Sequence, residues 1–150
     1  MTHPQPRHCT LAVPVRATLA SDPAQPAVRA EFRYRSWDPF TVQLELALDQ
    51  SPSVSWEFAR DLVLTGIESP VGLGDVRLFP GLEGVHLELY GQRSAAVLVL
   101  DADDVDHFVV ESLRMVPVGA ESDFHRLDDE IALLTTLPLP DTREADGSPR

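Results

Sequence analysis

The sequence predicts an α+β domain, antiparallel sheet with packing helices, and three observations carry that prediction. Apolar and polar residues alternate with period 2 in several separate runs between residues 28 and 90, as half-buried strands require. Turn-forming stretches such as "SWDP" (36–39) and "DQSPS" (49–53) join those runs. Segments with helical periodicity follow groups of strands. The order therefore reads strands–helix–strands–helix–helix, a loosely repeated strands-then-helix unit.

Length and composition bound the rest. At 150 residues, 43% apolar and 24% charged, the chain is long enough for one real core and short for two domains. The polar, Pro-bearing residues 1–8 and the polar, acidic tail at 138–150 are expected to be disordered, leaving a folded domain over 9–137. The longest apolar run, Ala95–Leu100, has six residues, too few to form a membrane-spanning helix. Arg16 stands where an export signal would need its apolar core, and the single cysteine, Cys9, permits no internal disulfide. Both features lead to the expectation of a cytoplasmic protein. Cys9 itself is expected to be a small apolar residue in the first strand.

The elements follow in order. "CTLAVPVRATL" is a first strand in which Pro14 signals an edge or a bulge. In "VRAEFRYR", Val28, Ala30, Phe32 and Tyr34 share one face, while Arg29, Glu31, Arg33 and Arg35 share the other. "TVQLELAL" turns Val42, Leu44, Leu46 and Leu48 inward, and "SVSWEF" does the same with Val54, Trp56 and Phe58. "ARDLVLTG" is a short helix, with Gly66 as the left-handed residue that closes it and Pro70 preventing its continuation. Gly72 and Gly74 then turn the chain into a strand at Asp75. "GVHLELY" alternates again. "SAAVLVL" does not, and reads as a central strand covered on both faces. "DADDVDHFVVESLRMV" opens with acids suited to a helix N-terminus, gathers Val105, Phe108, Val109, Ser112 and Val116 on one stripe, and stops before Pro117. "FHRLDDEIALLTTL" reads as a last helix with Phe124, Leu127, Ile131 and Leu134 on one face.

Reactive constellations are scarce. No GxSxG, HExxH, CxxC or P-loop pattern occurs, and "GLGD" leads into a strand where a phosphate site needs a helix N-terminus. Asp103, His107 and Glu111 line up at i, i+4 and i+8, but on the face of their helix expected to be solvated. The carboxylates Asp128, Asp129 and Glu130 read as another wet helix face. The expectation is a protein with no metal, no cofactor and no enzymatic activity. All twelve basic residues are Arg, against 24 acids, for a net charge of −12. Such a chain repels phosphate backbones unless a local basic face overcomes the field. The one candidate for such a face is the stripe Arg29, Arg33 and Arg35. It is either a solvated sheet face cross-paired with acids such as Glu45, or a binding face for an acidic partner or nucleic acid.

With these pieces placed, "WEFARDLVLTGI" (56–67), followed by "GLGDVRLFP" (72–80), resembles the SsgA-like proteins of sporulating actinobacteria. "RYRSWDPFTVQLEL" (33–46) is similar to an earlier family segment, in which an Asp-Pro-aromatic turn joins two strands. The similarity runs through "LRMVPVG" and the acidic "LDDEIALL" and covers roughly residues 10–137. The motif residues are Asp38-Pro39-Phe40, Trp56, Phe58, Arg60, Gly66, Gly74, Asp75 and Val76. The resemblance implies a non-enzymatic cytosolic regulator of septum formation in sporulation, recruited to septum sites. It also implies a Whirly-like sheet-and-helix architecture and assembly as a trimer. Its implied partners are the tubulin-like division GTPase FtsZ or another SsgA-like protein. The motif residues read mainly as structural, with Arg60 joining Arg29, Arg33 and Arg35 as candidates for a partner surface. Two functions stay open: a septation adaptor, and a single-strand nucleic-acid binder using the sheet face. Phe32 and Tyr34, opposite the Arg stripe, count against the second.

Overall fold

Alternation decides which side of each strand is buried, and one side of the whole sheet is closed by helices. The structure is a computed structural model and describes residues 8–124. The strands are β1 (Thr10–Leu19), β2 (Ala27–Arg35), β3 (Asp38–Ala47), β4 (Val54–Ala59), β5 (Val71–Leu73), β6 (Val76–Pro80), β7 (Val85–Tyr90) and β8 (Ala95–Leu100). Helix α1 (Arg60–Gly66) follows β4, α2 (Ala102–Met115) follows β8, and the single turn α3 (Glu121–Phe124) ends the described chain. All eight strands form one antiparallel sheet in the order β4-β3-β2-β1-β8-β7-β6-β5. Each four-strand meander is thus followed by a helix, the repeat expected from the sequence.

The connection through α1 requires the sheet to curl. Seven gaps of ~4.8 Å would set β4 and β5 roughly 34 Å apart in a flat sheet. The seven residues of α1 and the short Ile67–Pro70 link span at most about 27 Å. The edges therefore approach each other, and α1 touches β3 and β4 on one side and β5 and β6 on the other. Inside the curl, the Phe32 ring stacks on Phe108 of α2 at 4.7 Å, with Tyr34 edge-on to Phe108 and Phe58 edge-on to Phe32. Leu62 and Val63 of α1 and Val105, Phe108, Val109 and Ser112 of α2 are buried, as their periodicity predicts. Asp101 caps α2, its Oδ1 accepting from the Asp104 N–H at 3.0 Å.

Strands β1 and β8 pair only over Ala17–Leu19, and beyond that point they part. The start of α2 occupies the gap. The Asp101 N–H donates to the Arg16 carbonyl at 2.8 Å, and the Arg16 N–H donates to Asp104 Oδ2 at 2.9 Å. The Asp101 backbone and the Asp104 side chain thereby continue the ladder that β8 abandons. Pro14 has no N–H, and lies where that group would point toward this unpaired flank, so it is a local edge residue of a strand that is central elsewhere.

Several expectations need correction. Gly66 does not adopt a left-handed conformation; Ile67, still right-handed at φ −74°, closes α1. Glycine is required there for space, because a Cβ would lie 2.5 Å from Leu78 Cβ. Val54 and Leu48 are exposed and Trp56 is only half-buried, because β4 is the sheet edge and Leu48 lies past the end of β3. Cys9 is exposed just before β1, stitched to Ser36 by its backbone. β8 is central, yet only Leu98 and Leu100 are fully buried. The expected last helix, apart from Phe124, and the expected disordered ends fall outside the described residues, save His8.

Candidate functional site

The motif segment at 56–80 builds an internal lock. Arg60, the first residue of α1, is 1% exposed. Its Nη1 donates to the carbonyls of Val116 (2.7 Å) and Ser112 (3.3 Å), and its Nη2 pairs with Glu121 Oε1 at 2.9 Å. One guanidinium therefore satisfies the C-terminal carbonyls of α2 and anchors α3. Its charge lies 5.1 Å from the centroid of the Tyr34 ring, whose hydroxyl donates to the Pro39 carbonyl at 2.9 Å. Burial pushes the Tyr34 phenol up to about 12, with Arg60 opposing that shift. The Glu121 carboxyl is held below its ordinary range by its own backbone N–H, assisted by those of Gly119 and by Arg60.

Arg60 is thus a correction to the expected partner surface. Among the described residues its polar partners all lie within the fold, and its side chain is almost wholly withdrawn from solvent. The signal available in the sequence was its position: the first residue of a helix shares a face with the residues three and four places on, here Val63 and Leu64.

The other motif residues also have structural places. Asp38 sits opposite Arg35 at the register shift between β2 and β3, and Pro39 supplies the carbonyl that Tyr34 needs. Phe58 is buried. Gly74 takes φ +60° in the β5–β6 turn, a conformation that favours glycine, and the Asp75 carbonyl accepts from the Tyr90 N–H at 2.8 Å.

The Arg stripe lies on the outer face of β1–β2–β3, away from the helices. Arg33 is committed: it hydrogen-bonds Glu31 at 2.7 Å and lies 2.8 Å from Glu45 as an ion pair, bridging two acids that stand directly opposite each other. Arg35 and Arg29 make no hydrogen bond or ion pair among the described residues. The three arginines of the stripe therefore differ in availability.

Arg29 faces an open groove of about 860 Å³ on this face. Its floor is β1–β3, with Ser51 and Ser53 of the β3–β4 loop at one end and Asp104 of α2 at the other. Arg16, which the sequence reading passed over, lines it too. Alternation in β1 places Arg16 on the same face as Arg29, since Val13, Val15 and Ala17 point inward. Arg16 Nε bonds Asp104 at 3.0 Å and its Nη2 lies 3.2 Å from Asp101. Hydrogen bonding to Arg16 holds the Asp104 carboxyl below its ordinary range. The arrangement offers a polar, charge-bearing surface for contact. Asp103 and His107 lie on the exposed side of α2, and Glu111 is paired with Arg114.

Residues 28–121 match the model of a family described as Streptomyces sporulation and cell division protein, SsgA. The sporulation-specific cell division protein SsgB of Frankia casuarinae is 31% identical over 133 residues, covering 85% of this chain and 93% of the relative. SsgB of Streptomyces coelicolor is 32% identical over 122 residues, covering 79% and 88%. A solved structure from work on SsgB mutations that correlate to longitudinal cell division during sporulation of Streptomyces coelicolor is similar at TM-score 0.74. It is 29% identical and covers 78% of this chain and 96% of its own. The SsgA-like sporulation-specific cell division protein from Thermobifida fusca is similar at TM-score 0.73 and 26% identity, covering 89% and 99%.

Proposed function

Because the chain belongs to the SsgA family of sporulation and cell division proteins, we propose that it serves septum formation as a non-enzymatic adaptor acting by protein–protein contact. The observation that carries this reading is the division of labour between the sheet's faces. The inner face is closed by α1, α2 and the Arg60 lock, while the outer face of β1–β3 is polar and grooved. Recruitment from the cytoplasm to septum sites belongs to the proposal, as does action on FtsZ, direct or through another SsgA-like protein. What supports both is that the relatives are sporulation-specific cell division proteins.

The proposal extends to a Whirly-like arrangement and a trimer. The curled sheet with helices inside it supports the first. The sheet edges β4 and β5, which pair with no further strand among the described residues, and the exposed Val54 and Leu73 support the second. A second reading, single-strand nucleic-acid binding, draws on one observation. Phe79 and His86 stack at 4.9 Å on the outer face of β6–β7, one row from Arg77. Arg77 is paired with Glu88, however, and the net charge of −12 opposes phosphate.

Deletion of the gene in its sporulating host tests the adaptor reading. The expected result is a marked loss of sporulation septa with vegetative growth intact, restored by the full chain. Normal septation in the deletion strain contradicts it. Fluorescence anisotropy with a labelled oligonucleotide at ~150 mM salt should show no sub-micromolar binding.

A further inference from the structure

Arg16 and Arg29 stand directly opposite each other on β1 and β2. The Arg16 N–H and C=O both bond to α2, so the two residues form the kind of antiparallel pair whose backbones do not bond each other. In that kind the side chains stand closest. Like charges placed so repel. The structure relieves one side only: Asp101 and Asp104 pair with Arg16, and no hydrogen bond or ion pair among the described residues holds Arg29. On the far side of Arg29, its neighbour across β2–β3 is Ala47, which leaves the groove open beside the guanidinium. Arg33, in the same groove, is already consumed by Glu31 and Glu45.

The geometry points to a docking groove for an extended acidic segment of a partner protein, with Arg29 as its carboxylate anchor, an inference that rests on the adaptor reading. A carboxylate set against Arg29 gives its guanidinium the partner that Arg16 and Arg33 already have, and Arg29 can grip it with two parallel N–H donors. Ser51 and Ser53 at the groove's end supply neutral hydrogen-bonding groups for the segment's backbone. The chain's overall negative field opposes acidic ligands at long range, and Glu31, Glu45 and Asp104 line the same groove, so recognition depends on the short-range contact with Arg29 and selects against acids placed elsewhere.

The test is an array of nine-residue peptides on an Ala/Ser background carrying zero to three Glu, or zero to three Lys. It is probed with the full chain and with Arg29→Glu and Arg35→Glu variants, each verified as folded by circular dichroism. Wild-type retention should be higher for peptides carrying Glu than for those carrying none or carrying Lys. Arg29→Glu should lose at least tenfold on the three-Glu peptides and switch preference to Lys. Arg35→Glu, outside the groove, should match wild type. Arg29→Gln, which carries no charge, should lose the Glu preference without gaining one for Lys, and replaces Arg29→Glu should that variant misfold. Failure of the folded wild type to separate Glu from Lys peptides overturns the proposal, as does an unchanged preference in both Arg29 variants. Tighter binding of a labelled dT20 oligonucleotide, lost in the Arg29 variants, overturns it in favour of nucleic acid. Septal localisation of the wild-type protein is scored separately. Septal bands with an indifferent array remove the groove and keep the adaptor reading; a charge-switching array without bands keeps the groove and removes the septal role.

Discussion

The Arg60 guanidinium and the Tyr34 ring face each other at 5.1 Å inside the curled sheet, and the pair joins three parts of the fold. Arg60 holds the end of α2 and the start of α3, while Tyr34 holds the β2–β3 turn through Pro39. Replacing Arg60 by Met removes the donor to the Val116 carbonyl and one donor each from the Ser112 carbonyl, which keeps the Val116 N–H, and from Glu121, which keeps the Gly119 N–H. A buried acceptor left unpaired costs about 1–3 kcal/mol. Urea denaturation should show that loss in full for Arg60→Met and a smaller one for Arg60→Lys, which keeps the charge and lacks the fork. Equal stability of Arg60→Met and wild type contradicts the lock.

The same cluster sets the pH response at both ends. Glu121 is depressed in the folded state, so the unfolded chain binds its proton first and stability falls as pH drops below the ordinary value of 4.5. The Tyr34 phenol is raised from 10.0 to about 12, so the unfolded chain ionises first and stability falls as pH rises through that interval. Unfolding midpoints measured across pH should lose the acid slope partly in Glu121→Gln and the alkaline slope partly in Tyr34→Phe. An unaltered alkaline limb in Tyr34→Phe would place that titration elsewhere.

Gly66→Ala separates two physical effects of opposite sign. Helix propensity alone favours alanine by about 1 kcal/mol. The 2.5 Å approach to Leu78 Cβ forces strand and helix apart, and overpacking of this kind costs about 1–3 kcal/mol. Thermal unfolding should therefore show net destabilisation; a stabilised variant means the contact relaxes freely.

Burial also orders two aromatic truncations. Phe58 is buried and Trp56 half-buried, so Phe58→Ala should cost about 3–5 kcal/mol and Trp56→Ala less. The reverse order in denaturant midpoints contradicts the placement of β4 at the edge.

What the sequence made legible was local. Alternation placed Phe32, Tyr34, Val42 and Leu44 inside, and the 3.6 period placed the buried stripe of α2. What it hid depends on neighbours remote in sequence. Val54 alternates correctly yet is exposed, because nothing in its own strand reveals that β4 has one neighbour. Gly66 is needed for its missing Cβ, a fact that belongs to Leu78. The arginines of β2 looked equivalent, and only the cross-strand register separates Arg33, consumed by Glu31 and Glu45, from Arg29. Arg60 carries a charge in a motif, and charge alone points to the surface. The carbonyls that make its burial tolerable come from α2, more than fifty residues later.

The central claim is that this protein serves septation through its outer sheet face. Its most direct test is live imaging of a fluorescent fusion at the native locus of sporulating cells, wild type beside folded Arg29→Glu. The account predicts regularly spaced wild-type bands at future septa and diffuse fluorescence for the variant. Diffuse wild-type fluorescence throughout sporulation would contradict it.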